Sequence, residues 1–286
     1  MSLPVLEVDN LVKVYRAGTR DQVRAVDGMS FTVNEGMIFG LLGPNGAGKS
    51  TMLRVLTTLS RATSGSVRLL GLDVRTHALE VRRKLSAVLQ DTAVELFLSV
   101  RDNLLTYARF HGLPSRVAQA RADEVMHKFQ LMGEVDNKVQ DLSGGFKRRV
   151  QVAKVFMVET PVLFLDEFST GMDPILKREV MASLRAEAAK GRTIVLTTQI
   201  LSEAEELCDD ILIMNKGKQV ARGNLNTLKL LSQGVYDVVM SFDHLPQGIQ
   251  AEVQRFDPIR VNIDHNTIEM TLKERDTRVL DIITAL

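Results

Sequence analysis

Short apolar runs alternate with longer amphipathic stretches along most of the chain. The strand-like runs lie at residues 3–8, 30–33, 37–42, 67–69, 87–89, 162–165, 193–198 and 211–215. Runs this short have the length of buried strands, and the stretches between them have the length of helices. The alternation predicts an α/β fold in which helices pack on a sheet.

The middle and the end of the chain depart from this alternation. From about residue 95 to 160 the pattern predicts helices at 100–110, 115–129 and 147–157 without a strand between them, which indicates a helical subdomain. After Gly223 it predicts a strand at 236–242, a helix at 249–256, a hairpin of strands at 259–263 and 267–272, and a closing helix at 277–286. We therefore expect one α/β unit over residues 1–223 and a small α+β unit, ordered β-α-β-β-α, over residues 224–286.

Composition narrows the function. The 286 residues leave room for about two domains. Lys and Arg number 36 against 35 Asp and Glu, a net charge of +1, so we expect no nucleic-acid partner, and an anion must be bound at a local site. Cys208 is the single cysteine and the five histidines lack metal-ligand spacing, which argues against disulfides and zinc. Neither a signal peptide nor an apolar run of membrane-spanning length is evident, which favours the cytoplasm.

One segment matches the phosphate-loop pattern G-x-x-x-x-G-K-[ST] between a predicted strand and a predicted helix. Glycines let successive backbone amides turn toward phosphate oxygens, and the helix N-terminus adds positive charge. Lys49 supplies a full charge, and Ser50 supplies a hydroxyl ligand for Mg²⁺. The predicted ATP-binding residues are Gly43, Pro44, Asn45, Gly46, Ala47, Gly48, Lys49, Ser50 and Thr51.

Two acidic residues follow another buried strand. The apolar run at 162–165 ends in Asp166, which Glu167 follows. Because the carboxyl ends of parallel strands meet at one edge of a sheet, we expect Asp166 to reach Mg²⁺ beside the phosphate loop. Glu167 would then be the general base for the attacking water. The alternative is an acidic strand end that caps the next helix.

With these motifs, the signature segment Leu142-Ser143-Gly144-Gly145 makes the chain resemble the ATP-binding cassette (ABC) family over about residues 3–223. The resemblance implies a phosphate-loop ATPase core with a mixed sheet. It also implies that Gln90 contacts Mg²⁺ and the attacking water and that Asp173, in Gly171-Met172-Asp173-Pro174, contacts nucleotide. Tyr15 matches the aromatic residue that stacks on adenine, and core packing is its alternative.

The family likeness further implies that two ATPase subunits share two ATP molecules. The phosphate loop of one subunit and Ser143, Gly144 and Gly145 of the other hold the same ATP, and the other subunit is a second copy or a paired ATPase chain. The basic residues Lys147, Arg148 and Arg149 oppose the dipole of the helix that they begin. Either an anion docks near them or they form a solvated basic face.

A separate transmembrane permease is the other partner that the resemblance implies. It would dock near the segment from Asp91 to Arg101, whose apolar residues suit either a docking groove or the domain core. The ATPase would then lie on the cytoplasmic face of the membrane. Residues 191–223 and the C-terminal unit resemble the exporter branch of daunorubicin-resistance-type ATPases, with importer ATPases as the alternative. We expect the C-terminal unit to support dimerisation or regulation. Soluble cassette proteins of ribosomes or DNA fit less well, because the chain holds one cassette and no long coiled coil.

Two positions depart from the family pattern. Gln199 stands where a histidine that contacts the γ-phosphate is most common, and Phe146 stands where the signature most often has glutamine. Glutamine still offers an amide donor, but it carries no charge and exchanges no proton. We expect hydrolysis that is slowed but survives, with a non-hydrolysing partner subunit as the alternative.

Overall fold

The computed structural model describes residues 4–89, 94–225, 227–228, 236–242, 244, 248–264 and 266–272. The chain divides into two compact units, Met1–Asn224 and Leu225–Leu286. In the described part of the chain, no helix combines the length and the apolar character needed to cross a membrane.

The core of the first unit is a mixed sheet of six strands. These are β3 (Ile38–Leu42), β6 (Leu85–Val88), β7 (Val162–Asp166), β8 (Thr193–Thr198), β9 (Asp210–Asn215) and β10 (Lys218–Gly223). Their order is β10-β9-β3-β8-β7-β6, and only the β9–β10 pairing within this sheet is antiparallel. All residues of β3, β7 and β8 are buried, which explains why they read as continuous apolar runs. The predicted α/β class with a mixed sheet is confirmed.

A second, antiparallel sheet packs on the same core. It comprises β1 (Leu6–Tyr15), β2 (Val23–Val33), β4 (Ser64–Leu69) and β5 (Leu72–Asp73), in the order β2-β1-β4-β5. Both β1 and β2 are longer than the predicted strands at 3–8 and 30–33, because their additional stretches mix polar with apolar residues and are buried only in part. Phe31 of β2 stacks on Phe39 of β3 with ring centroids 5.1 Å apart, so the two sheets share one apolar core.

Seven α-helices of the first unit are described, together with two short 3-10 helices at Met132–Glu134 and Val139–Asp141. The α-helices are α1 (Lys49–Leu56), α2 (Ala78–Arg83), α3 (Val100–Phe110), α4 (Ser115–Lys128), α5 (Gly144–Val155), α6 (Pro174–Ala189) and α7 (Leu201–Leu207). The helical insert consists of α3, α4 and α5. Helix α5 begins earlier than the predicted 147–157, because the Ser143 hydroxyl accepts a hydrogen bond from the Phe146 amide and caps the helix.

The second unit is a small α+β fold. Its described elements are β11 (Tyr236–Ser241), α8 (Ile249–Gln254), β12 (Arg260–Asp264) and β13 (Thr267–Leu272), and the sheet order is β11-β13-β12. Ile249 and Val253 of α8 pack with Ile268 and Met270 of β13. The order of these elements is β-α-β-β, and the expected closing helix at 277–286 lies outside the described residues.

Candidate functional site

The phosphate loop, residues 43–50, joins β3 to α1 and packs tightly against neighbouring strands. A Cβ atom on Gly43 would lie 2.2 Å from the Met214 carbonyl oxygen. A Cβ on Gly48 would lie 2.1 Å from the Ala25 carbonyl oxygen, and Gly48 has φ of +105°. Only glycine fits both demands, so these two residues fix the curl of the loop.

Lys49 is buried at the start of α1. Its Nζ donates to the Gly43 carbonyl at 2.7 Å and to the Pro44 carbonyl at 3.1 Å. The same Nζ lies 3.8 Å from Oε1 of Glu167. The loop therefore holds a buried ammonium group whose carboxylate contact is loose.

Asp166 ends β7 beside the phosphate loop, as predicted. Ser50 Oγ donates to Asp166 Oδ1 at 3.2 Å, and the Thr197 hydroxyl donates to the same oxygen. The pairing of β7 with β8 places Thr197 directly opposite Asp166. The Ser50 hydroxyl and the Asp166 carboxylate thus stand together, and hard oxygen donors of this kind suit Mg²⁺.

Glu167 occupies a strained turn just beyond β7. Its φ is +46°, in the left-handed region, which costs a non-glycine residue about 1–2 kcal/mol. Its amide donates to the Thr197 carbonyl oxygen at 3.2 Å and to Thr197 Oγ1 at 3.1 Å. The turn points Glu167 toward Lys49 instead of along the strand.

Lys49, Ser50 and Glu167 line a cavity of about 420 Å³, which we call the phosphate cavity. Its walls include residues 23–25 and 45–51, together with Glu167 and Lys216. Tyr15 is not part of this wall, although it pairs across the strands with Val23, and the Lys13 ammonium lies 4.8 Å from its ring centroid. Stacking of adenine on Tyr15 stays a prediction.

The signature segment lies away from the phosphate cavity of its own chain. Ser143 and Gly144 are exposed at the start of α5. A Cβ on Gly145 would lie 2.9 Å from the Gly171 carbonyl oxygen, so the segment packs closely on the loop that contains Asp173. Because neither Ser143 nor Gly144 lines the phosphate cavity, the signature segment does not meet the phosphate loop of its own chain there.

Arg148 contradicts the prediction of a solvated basic face after the signature segment. It is 8% exposed, and its guanidinium donates to the carbonyl oxygens of Asp166, of Glu167 at 2.7 Å and of Phe168 at 3.2 Å. Burial lowers the pKa of Arg148, and the carboxylates of Asp166 and Glu167 oppose that shift. The residue is a structural contact between α5 and the turn that carries Glu167.

The other two basic residues also have partners within the chain. Lys147 Nζ donates to the Gln140 carbonyl at 2.8 Å. Arg149 forms a 2.8 Å ion pair with Asp173 and lies 4.6 Å from the centroid of the Phe146 ring. Neither residue requires an external anion to account for its position.

Asp173 has a clear local role. Its Oδ1 accepts a 2.9 Å hydrogen bond from the Leu176 amide and caps α6. This backbone hydrogen bond, helped by the charge of Arg149, lowers the pKa of Asp173. Contact of Asp173 with nucleotide stays a prediction.

Gln199 follows β8 and is exposed. Within the described residues no hydrogen bond of its side chain is observed. The adjacent Thr198 hydroxyl donates to Glu203 Oε2 at 2.7 Å. Glu203 is buried and also takes a 2.5 Å hydrogen bond from Ser169 Oγ and a 2.6 Å ion pair from Lys177.

Sequence reasoning missed the roles of Thr197 and Glu203. Thr197 could have been found from the pairing of the two strands, since it faces Asp166 across β7 and β8. Glu203 lies on the face of α7 that also buries Ala204 and Leu207, which is a signal that the pattern of apolar positions carries. Gln90 and residues 91–93 lie outside the described residues.

The described part of the expected docking segment is half buried. Val94 and Val100 belong to the core, whereas Phe97 is 76% exposed. Asn103 fixes the loop between them by accepting a 2.7 Å hydrogen bond from the Glu95 amide and donating one of 2.9 Å to the Glu95 carbonyl. The described part of the segment therefore has both predicted characters, with Val94 and Val100 in the core and Phe97 as exposed apolar surface between them.

A wide groove of about 740 Å³ lies beside α3 and the end of α1. Three exposed apolar side chains line it: Leu59 at 62%, Leu79 at 59% and Phe110 at 85%. We call this feature the apolar groove. Arg82 and Arg83 add positive charge to its wall.

Comparisons with known proteins agree on one family. The ABC transporter family matches residues 26–170. A daunorubicin resistance ATP-binding protein, DrrA3, of Streptomyces coeruleorubidus is 35% identical over 92% of this chain and 83% of its own length. A Nod factor export ATP-binding protein I of Ralstonia nicotianae is 36% identical over 86% of this chain and 75% of its own length. A solved structure of an ATP-binding subunit of an ABC transporter superposes with a TM-score of 0.73 at 26% identity, over 80% of this chain and 93% of that one.

Proposed function

Since the chain belongs to the ABC transporter family of ATPases and is an ATP-binding subunit of that family, we propose that it powers export. In this proposal two ATPase subunits hydrolyse two Mg-ATP molecules between them and drive a separate transmembrane permease. The relatives named for daunorubicin resistance and Nod factor export support the exporter branch over the importer branch.

One observation carries the proposal. Lys49, Ser50 and Glu167 line the phosphate cavity, and Asp166, at the end of β7, accepts a hydrogen bond from Ser50 beside it. The loop amides at the N-terminus of α1 suit phosphate oxygens, and Lys49 adds the charge that a triphosphate needs. Glu167 stands at the rim of this cavity as the base that takes a proton from the attacking water.

Magnesium has suitable donors at the same place. We assign the Ser50 hydroxyl and the Asp166 carboxylate as its protein ligands, with Gln90 as the expected third contact. Mg²⁺ bound with substrate phosphates usually takes only one or two carboxylates from the protein, so this small set is sufficient. When bound, the ion neutralises charge on the phosphate oxygens.

The position of the signature segment supports a site that a second subunit completes. Ser143 and Gly144 are exposed and do not line the phosphate cavity of their own chain. We assign them, with Gly145 and Asp173, to the ATP held by the partner's phosphate loop. The partner is a second copy or a paired ATPase chain. We propose that the unit Leu225–Leu286 strengthens or regulates this pairing.

The apolar groove and the exposed Phe97 support docking of the permease. Leu59, Leu79 and Phe110 are exposed and line one groove, and contiguous exposed apolar patches mark interaction surfaces. We place the docking site across the apolar groove and the segment from Asp91 to Arg101. The ATPase then acts at the cytoplasmic face of the membrane, where its ATP is found.

Two variants test the docking site. Phe97→Ala removes an exposed ring and should reduce recovery of the permease with the ATPase, while the affinity for ATP stays within about 3-fold. Val220→Ala, which truncates an exposed apolar residue on the edge strand β10, is the matched control and should retain the permease. Equal recovery with both variants would remove Phe97 from the interface.

A slow or non-hydrolysing subunit is the second candidate. It is favoured by Gln199, which has replaced the usual charged partner of the γ-phosphate, and by Phe146, whose ring is engaged by Arg149. A neutral amide at position 199 still donates one hydrogen bond.

The deciding experiment is the ATPase rate of the complex with its permease. Wild type should turn over ATP, and Glu167→Gln should lower the rate by about 10²-fold or more, because the general base is lost. Glu159→Gln alters an exposed carboxylate and should leave the rate unchanged. If wild type is no faster than Glu167→Gln, the non-hydrolysing candidate replaces the proposal.

A further inference from the structure

Arg148 is a buried cation that packing alone does not explain. Its Nη2 donates to the carbonyl oxygens of Asp166 and Glu167, its Nε to that of Phe168, and its Nη1 to Gln151 Oε1 at 2.7 Å. Burying a charge is unfavourable unless hydrogen bonds offset it. An apolar side chain would fill the same space without that cost. What Arg148 adds is a set of hydrogen bonds that fixes the positions of three successive carbonyl groups.

The carbonyls belong to the strained turn that carries Glu167. The Thr197 carbonyl and hydroxyl hold the amide of Glu167, and Arg148 holds its carbonyl. Because both the amide and the carbonyl of Glu167 are hydrogen-bonded, its φ is held at +46° and its carboxylate is held 3.8 Å from Lys49 Nζ. Residues in such conformations persist where the surroundings determine them from several directions.

Arg148 also belongs to the helix that the signature segment begins. It is the fifth residue of α5, and Ser143 is the cap of the same helix. A second cavity of about 230 Å³ between α5 and the turn is lined by Gly144, Arg148 and Glu167. One side chain therefore joins the surface assigned to the partner's ATP to the base of the chain's own site.

We propose that Arg148 is a positioning residue for ATP hydrolysis, which fastens the start of α5 to the turn of Glu167 and holds that base against the phosphate cavity. The proposal rests on the function proposed above. Arg148 links the signature segment rigidly to Glu167. The helix end that contacts the partner's ATP therefore also positions the base that acts on the chain's own ATP. The guanidinium remains charged at neutral pH, so the contact does not depend on pH in that range.

Arg192 provides a matched control. It is 6% exposed and donates to the Thr160 carbonyl at 2.9 Å and to the Val155 carbonyl at 3.1 Å. It pairs with Glu187 at 3.4 Å. Like Arg148 it is a buried guanidinium on backbone carbonyls, but it does not contact the turn of Glu167 or line the phosphate cavity.

The experiment measures steady-state ATP hydrolysis by the complex with its permease, together with ATP affinity and melting temperature. Arg148→Gln should lower kcat by about 10- to 100-fold with KM within about 3-fold, because a small displacement of a reacting group is enough for such a loss. Arg192→Gln should lower the melting temperature at least as much and leave kcat within about 3-fold. Arg148→Lys keeps the charge but not the fork of donors, so its kcat should lie between those of Arg148→Gln and wild type.

A double variant separates positioning from a general structural role. If Arg148 acts through Glu167, adding Arg148→Gln to Glu167→Gln should lower the residual rate by less than about 3-fold. The full loss repeated in that background would overturn the proposal. So would a rise in KM with unchanged kcat, or equal losses of kcat in the Arg148 and Arg192 variants. If Arg148→Gln does not fold, the same comparisons made with Arg148→Lys decide.

The outcomes also separate this proposal from the proposed function. Absence of ATP hydrolysis by the wild-type complex would overturn the proposed function. Hydrolysis that is lost in Glu167→Gln but kept at the wild-type kcat in Arg148→Gln would overturn only the role of Arg148.

Discussion

The two ends of strands β7 and β8 both bury charged groups, but the two ends differ in how these charges are paired. At the amino end, Arg192 donates to the carbonyls of Thr160 and Val155 and pairs with Glu187. At the carboxyl end, Lys49 and Glu167 stand 3.8 Å apart on the wall of a cavity of about 420 Å³. At the amino end the charged groups are paired within the chain, whereas at the carboxyl end they line an open cavity.

This difference identifies the functional end better than burial does. Arg192 is as buried as the residues of the site, and burial lowers its pKa while Glu187 opposes the shift. Its hydrogen bonds connect the sheet to α5 and α6, which is a structural role. A buried charge therefore indicates a ligand-binding group where its internal partners are loose and a cavity adjoins it.

Lys49→Ala should produce the largest effect on the comparison. Removing the ammonium leaves the phosphate cavity without its cation, and we expect ATP affinity to fall by at least about 10²-fold. Calorimetric titration with Mg-ATP measures it. Lys190→Ala, which removes an exposed partner of Glu187 at the amino end, should leave the affinity unchanged. Equal affinities for the two variants would contradict the distinction between the ends.

Arg192→Gln, at the amino end of β8, should lower the stability of the first unit. The variant removes the cation that donates to two buried carbonyls and pairs with Glu187, and unsatisfied buried acceptors cost about 1–3 kcal/mol. Chemical denaturation should show a lower midpoint for the transition of the first unit. The folded variant should still bind ATP like wild type, and loss of binding without loss of stability would reverse the assignment.

Gln199→His should produce a smaller gain at the carboxyl end. A charged donor near the γ-phosphate should raise the kcat of the complex by about 3- to 100-fold, if that contact acts mainly in the transition state. Gln199→Ala removes the amide and should lower kcat instead. An unchanged or lower rate in Gln199→His would show that slow hydrolysis, if observed, has another origin.

Cys208 should show the smallest effect. It is the C-cap residue of α7 and packs against Gly40 of β3, and burial raises the pKa of its thiol to about 12. The thiol therefore stays protonated at pH 8, and thiolate is the reactive form. Alkylation by iodoacetamide should be negligible in the folded protein and rapid after denaturation. Rapid alkylation of the folded protein would mean that this part of the sheet opens readily.

Local patterns predicted the parts of the structure that local contacts determine. Helix α3 matches the predicted 100–110, because its apolar face is periodic and Ser99 caps it by accepting from the Asp102 amide. The phosphate loop and Asp166 were predictable because each follows a strand that is buried on both faces. In such cases one short stretch of sequence contains the periodicity of the element, the residues that end it and the reactive side chains.

Contacts between distant segments were not predictable in this way. Arg148 meets carbonyls 18 to 20 residues further along the chain, and nothing near Arg148 in the sequence indicates that contact. Strand β10 was missed because its residues are polar and exposed at the sheet edge, where no burial pattern forms. Both features became visible only once the sheet order was known.

The central claim is that the carboxyl end holds an ATP site that a second subunit completes. Its most direct test is the molar mass of the Glu167→Gln protein in solution, measured by sedimentation with Mg-ATP and with Mg-ADP. The account predicts a dimer that retains two ATP molecules in the first case and a monomer in the second. A protein that binds ATP and remains a monomer, in this variant and mixed with its permease, would contradict the account.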